Sequence, residues 1–180
     1  PVDPARVEAA LRADTGHSYK AVLLTHVDTA TSVLNDVAAV RAAIDAAGHP
    51  ALLMVDCIAS LACDRFEMDG WGVDVMVAAS QKGLMTPPGL GFVWFSDRAR
   101  EAARGNDLRT PYWDWTLRAG PEEFYQHSCG TAPTHHLLGL AQALEMILRA
   151  EGLEAVWRRH DTLARTVWAA FDAWASEGDI

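Results

Sequence analysis

At 180 residues, half of them apolar and 22% charged, the chain can bury most of the surface of one ordinary domain and is too apolar to remain disordered. A net charge of −9 argues against a nucleic-acid surface, and no apolar run reaches the length that spans a membrane. Cys57, Cys63 and Cys129 are odd in number and lack metal-ligand spacing, so no metal site is expected, and they fit reduced thiols in a cytoplasmic setting.

The first element is a helix over 3–15, with Asp3 as N-cap, Pro4 at the first helical position and Gly16 as the stop. "KAVLLTH" (20–26) has the length and composition of a buried strand. A helix follows in "NDVAAVRAAIDAAGH", capped by Asn35 or Asp36 and closed by Gly48. "ALLMVDCIAS" (51–60), "VDVMVAAS" (73–80) and "GLGFVWFS" (89–96) read as three further strands. Near-continuous apolar strands separated by a helix predict an α/β domain with a mostly parallel sheet covered by helices on both faces. A short charged helix is expected over 97–104, then an irregular aromatic segment over 105–132. Two long helices, 134–150 and 152–175, complete the reading with Gly152 between them. Neither end reads as a natural terminus, and no signal-like N-terminus is present.

In open parallel sheets, ligands sit beyond the carboxyl ends of the strands. That edge gathers Thr25 to Thr29, Asp56, and Ser80 to Lys82. The chain has two lysines, Lys20 and Lys82, against thirteen arginines, so a lysine in "AASQKGLMTPPGLGF" calls for a reason. Burial beside the sheet edge would lower its pKa and leave an amine able to form a Schiff base. The alternative is a surface lysine whose stem packs and whose charge stays in water. Asp56, ending "LLMVD", either caps the following turn or pairs with a cation such as a protonated ring nitrogen.

"THVDTATSVLND", "LLMVDCIASLA", "VDVMVAASQKGLMTPPGLGFVWFS" and "GTAPTHHLLGLAQAL" resemble consecutive segments of class V aminotransferases, nearest the alanine–glyoxylate and serine–glyoxylate branch. The 26-residue spacing from Asp56 to Lys82 is part of the likeness. The resemblance implies the large domain of a fold-type-I transferase that uses pyridoxal 5'-phosphate. Lys82 then resembles the lysine that carries the cofactor, and Asp56 the partner of its pyridine nitrogen. Gln81 resembles a phosphate-holding residue, and Thr29 a hydroxyl near the phenolic oxygen. Thr131 resembles a threonine reaching the neighbouring subunit's cofactor, which implies a homodimer with shared active sites.

Ser128 stands where some relatives carry a phosphate-binding tyrosine. His26 matches a family histidine of undefined role; His135 and His136 read as the opening of a helix, and Ser60 as a turn cap. The family's phosphate loop and ring-stacking aromatic are expected before residue 1. Its carboxylate-clamping arginine is expected in a small domain after residue 180. The activity implied is transfer of an amino group from serine or alanine to glyoxylate or a similar 2-oxo acid. The alternatives are pyridoxamine–pyruvate or ureidoglycine–glyoxylate aminotransfer, cysteine desulfuration, or a fragment of this fold without turnover. Desulfuration is disfavoured because no cysteine reads as lying in an exposed loop.

Overall fold

The computed structural model describes residues 1–108 and 110–178; Arg109 of the aromatic segment and the terminal Asp179 and Ile180 lie outside it. Four strands, β1 (Ala21–Thr25), β2 (Leu52–Asp56), β3 (Val75–Ala79) and β4 (Gly91–Phe95), form one sheet in the order β1-β2-β3-β4. The pairs β1–β2 and β2–β3 are parallel, with Thr25 opposite Asp56 and Asp56 opposite Val77. β4 runs antiparallel to β3, so the sheet is mostly parallel, as expected, with one antiparallel edge strand. The reason is the connection. Residues 80–90 contain no helix, and so short a link closes a hairpin rather than a crossover.

The helices of the first half begin where a side chain satisfies their free N–H groups. Asp3 accepts from Ala5 at the start of α1 (Pro4–Ala13), and Asp36, rather than Asn35, caps α2 (Val37–Ala46) through Ala39. Asn35 instead ties loops together: its carboxamide oxygen accepts from the Val2 N–H and its nitrogen donates to the Thr25 carbonyl. Ser96 caps α3 (Asp97–Arg104). The aromatic segment holds a short helix, α4 (Trp115–Ala119), and a 3-10 turn, Phe124–His127. α5 (Thr134–Glu145) widens into a π-helical turn at Met146–Glu151, and Gly152 at φ 87° separates it from α6 (Leu153–Glu177).

One sheet face is packed. Leu24, Leu53, Val55 and Met76 meet Leu11 of α1 and Val40 and Ile44 of α2. Full burial of each such side chain stabilises by about 2 kcal/mol. A second cluster joins Ala62 and Leu84, from the loops after β2 and β3, to Ile147 and Val156. The other face is covered at its β4 corner, where Trp115 of α4 stacks on Phe95 at 4.9 Å, while Leu23 is 77% exposed. Cover on both faces is therefore not met within the described residues.

The amino end of the sheet is pinned by buried Asp74. Its carboxylate accepts from the Leu53 N–H at 2.8 Å and the Ser96 hydroxyl at 3.1 Å, with the Arg98 guanidinium at 3.3 Å. This ties β2, β3 and β4 together at the end opposite the functional residues, so the carboxyl end is free to be shaped by loops.

Candidate active site

Asp56 closes β2, and its backbone is fixed on both sides. Its carbonyl accepts from the His26 N–H at 2.9 Å, and the next residue, Cys57, extends the ladder to the Val77 carbonyl at 2.8 Å. Side chains alternate along a strand, so Asp56 points away from the packed face that buries Val55 and Cys57. One carboxylate oxygen accepts from the Ile58 N–H at 2.8 Å, which is the turn-capping role. The other accepts no hydrogen bond among the described residues. Capping and ligand binding are thus compatible in one side chain.

Lys82 lies three residues beyond β3 in a loop drawn shut by buried Ser80. The Ser80 hydroxyl donates to the Pro87 carbonyl at 2.7 Å and accepts from the Leu90 N–H at 3.3 Å, while its carbonyl takes the Thr86 hydroxyl at 3.0 Å. Leu84 anchors the same loop in the second apolar cluster. At the far end, the His136 ring donates to the Pro88 carbonyl at 3.1 Å, pinning the Pro-Pro-Gly turn to α5. The lysine side chain itself is exposed, and no described residue bonds to its ammonium. A desolvated amine was expected; this chain supplies a fixed backbone beneath the lysine but not the cover above it. Lys20 precedes β1, at the opposite end of the sheet, and donates to the His17 carbonyl at 2.8 Å.

Gly83 brings the two loops together. A Cβ at this position would lie 2.1 Å from the Leu61 carbonyl oxygen and 2.8 Å from the Cys63 sulfur. The Lys82 loop therefore rests directly on the turn that follows Asp56. Gly83→Ala is expected to force them apart, at the cost of about 1–3 kcal/mol typical of overpacking, and to loosen any ligand held between them. Urea denaturation and ligand retention of the intact protein measure the two effects; wild-type values for both would mean that the loops move independently.

Thr29 is exposed in the loop after β1, which Asp28 shapes by accepting from Thr31 Oγ1 at 2.5 Å and the Ala30 N–H at 3.3 Å. Those bonds, Thr31 first, hold the Asp28 carboxyl below its usual range. Gln81 is exposed beside Lys82, and Thr131 is exposed just before α5. The fold brings Thr29, Asp56, Gln81 and Lys82 to one sheet edge, whereas Thr131 makes no hydrogen bond to it among the described residues.

An amine, a half-free carboxylate, a hydroxyl and an amide on one rigid edge fit pyridoxal 5'-phosphate, which presents an aldehyde, a basic ring nitrogen, a phenolic oxygen and a phosphate. Burial pushes the Cys57 thiol up to about 12 and raises that of Cys63, so neither serves as a ready nucleophile. Cys129 is the exception to the sequence reading, being exposed in a loop at φ 54°.

Two further residues escaped assignment from sequence. His26 and Ser60 are both buried, and the His26 Nδ1 lies 2.9 Å from the Ser60 hydroxyl. Ser60 is thus a partner of His26 rather than a turn cap. Burial, opposed by the Asp64 charge, holds the His26 imidazole below its ordinary pKa. Strand position marked His26 as lying near the edge and Ser60 was read as a turn cap, but their pairing spans 34 residues and has no local signal.

A family model described as aminotransferase class-V matches residues 2–176. The L-aspartate–glyoxylate aminotransferase of Paracoccus denitrificans is 47% identical over 170 residues, 94% of this chain and 42% of that protein. The serine–glyoxylate aminotransferase of Methylorubrum extorquens is 44% identical over 178 residues, covering 95% of this chain and 43% of that protein. The crystal structure of an alanine–glyoxylate aminotransferase from Nostoc sp. superposes with a TM-score of 0.81 at 28% identity, over 96% of this chain and 45% of that one. The chain thus spans less than half the length of these relatives. With its family match running almost end to end, the chain belongs to the class V aminotransferases and has their fold-type-I α/β architecture.

Proposed function

We propose that this chain is the central part of the large domain of a pyridoxal-phosphate-dependent aminotransferase, and that the whole enzyme moves an amino group from serine or alanine to glyoxylate or a similar 2-oxo acid. The observation that carries this reading is the apposition of the Asp56 and Lys82 loops through Gly83 at the carboxyl edge of the sheet. The two relatives described above share glyoxylate in their names and differ in the amino donor, which supports the acceptor more strongly than the donor.

When bound, pyridoxal phosphate supplies an aldehyde for Schiff-base exchange and a ring that withdraws electrons from the substrate's Cα. Lys82 would hold the cofactor through its Nζ, and the same amine would serve as the base that moves a proton at the substrate's Cα. Asp56 would offer its free carboxylate oxygen to the pyridine nitrogen and keep that nitrogen protonated. Gln81 would hold the phosphate, and Thr29 the phenolic oxygen. Thr131, just before α5 and without a hydrogen-bond partner among the described residues, would reach the cofactor of a second copy, so the active form is a homodimer with shared sites. A cytoplasmic location suits three free cysteines. Among the described residues, no helix is long and apolar enough to cross a membrane.

Borohydride reduction of the intact, cofactor-loaded protein followed by peptide mapping tests the assignment. The cofactor mass is expected on the Lys82 peptide. Its appearance on Lys20, or a protein that binds the cofactor without any lysine adduct, would overturn the reading.

A further inference from the structure

His26 touches both ends of the turn that shapes Asp56. Its backbone N–H donates to the Asp56 carbonyl at 2.9 Å, and its ring Nδ1 shares a hydrogen bond with the Ser60 hydroxyl at 2.9 Å. Between these points lies Ile58, whose N–H holds one oxygen of the Asp56 carboxylate at 2.8 Å. The turn is closed inside by the Ser60 and Leu61 N–H groups, both donating to the Cys57 carbonyl, at 3.1 and 2.9 Å. The His26 ring has little room to move. It is 3% exposed and packs against Phe66 at 5.4 Å and Trp71 at 6.1 Å. Ser60 is fully buried, so without the histidine its hydroxyl has no water to turn to and keeps only the Cys57 thiol, a weaker partner.

From this geometry we infer that His26 and Ser60 form a clamp behind the sheet edge that positions the Asp56 carboxylate, neither of them touching the reacting atoms. The inference rests on the reading of Asp56 as the partner of the pyridine nitrogen. Rotation of the 56–60 turn would swing the Ile58 N–H and redirect the oxygen it holds. The free oxygen turns with it. The backbone bond holds the first end of the turn whatever residue stands at 26; the ring bond to Ser60 holds the other end, and it is the bond that a histidine serving only as packing would not make.

The test uses the intact, cofactor-loaded protein with three variants: Ser60→Ala, His26→Phe and His26→Asn. Phenylalanine keeps ring packing and loses Nδ1; asparagine keeps a polar group near Nδ1 and leaves a cavity. Stability therefore favours the phenylalanine variant, while positioning favours the asparagine variant. The expected result is that kcat falls about tenfold in Ser60→Ala and in His26→Phe, the scale of one lost hydrogen bond, and less in His26→Asn. KM for the amino donor stays within about twofold, and the near-visible absorbance band of the bound cofactor shifts in the first two variants. The double variant Ser60→Ala/His26→Phe is no slower than either single one, because the pair acts as a unit. Unchanged kcat and absorbance in Ser60→Ala, or activity that follows stability with phenylalanine above asparagine, would overturn the clamp. If His26→Phe fails to fold, Ser60→Ala decides alone. Asp56→Asn separates the two levels: a collapsed rate there with an unaffected Ser60→Ala defeats only the clamp, whereas a wild-type rate in Asp56→Asn defeats the reading of Asp56 itself.

Discussion

Lys82→Ala is expected to leave the fold standing and remove transamination in the intact protein, with a rate loss of about 10^3-fold or more, since in the proposed function one group is both the covalent anchor and the proton carrier. The stability side follows from the surroundings. The Lys82 side chain is exposed and bonds to no described residue, while the loop beneath it is held by Ser80, Leu84 and His136. Replacing an exposed side chain of this kind alters stability by no more than about 0.5 kcal/mol. Lys20→Ala, at the other end of the sheet, is the control that leaves turnover unchanged. Denaturation midpoints and single-turnover rates measured side by side decide the matter; parallel losses of both would make Lys82 a structural residue.

The second large effect belongs to Asp56→Asn. An asparagine oxygen still accepts from the Ile58 N–H, so the turn survives, but the negative charge is gone. Removing one preorganised charge aimed at the ring nitrogen is expected to lower kcat by about 10^2–10^3-fold. Absorbance titration with the cofactor, run beside steady-state kinetics, separates loss of binding from loss of chemistry. A cofactor-loaded variant turning over at the wild-type rate would leave Asp56 with its capping role alone.

Local signals carried much of this site. A lysine in an arginine-rich chain, placed after an apolar strand, marked Lys82; a carboxylate ending "LLMVD" marked Asp56. Strand alternation placed both at one edge because three strands run parallel. What local pattern did not carry was tertiary. An apolar run is the same in either direction, so the antiparallel course of β4 depended on the short link from Ser80 to Leu90. The His26–Ser60 and His136–Pro88 bonds join residues 34 and 48 positions apart, and no periodicity encodes such pairs. Of the two readings of Lys82, the exposed one is met: its amine is uncovered because its apolar neighbour Leu84 turns inward to the second cluster while Met85 stays exposed.

The contact at Gly83 also limits how this sequence can vary. The nearer obstacle to a side chain there is the carbonyl oxygen of Leu61, which belongs to the backbone and is present whatever residue occupies position 61. A bulky neighbour can be compensated by trimming it, as a change at Cys63 would do for the sulfur; a peptide oxygen cannot be trimmed. No second-site side-chain exchange rescues a substitution at 83, so its penalty is the same in every sequence background that keeps these two loops in place. Drift at the surrounding positions is negotiable between partners, and at Gly83 it is not.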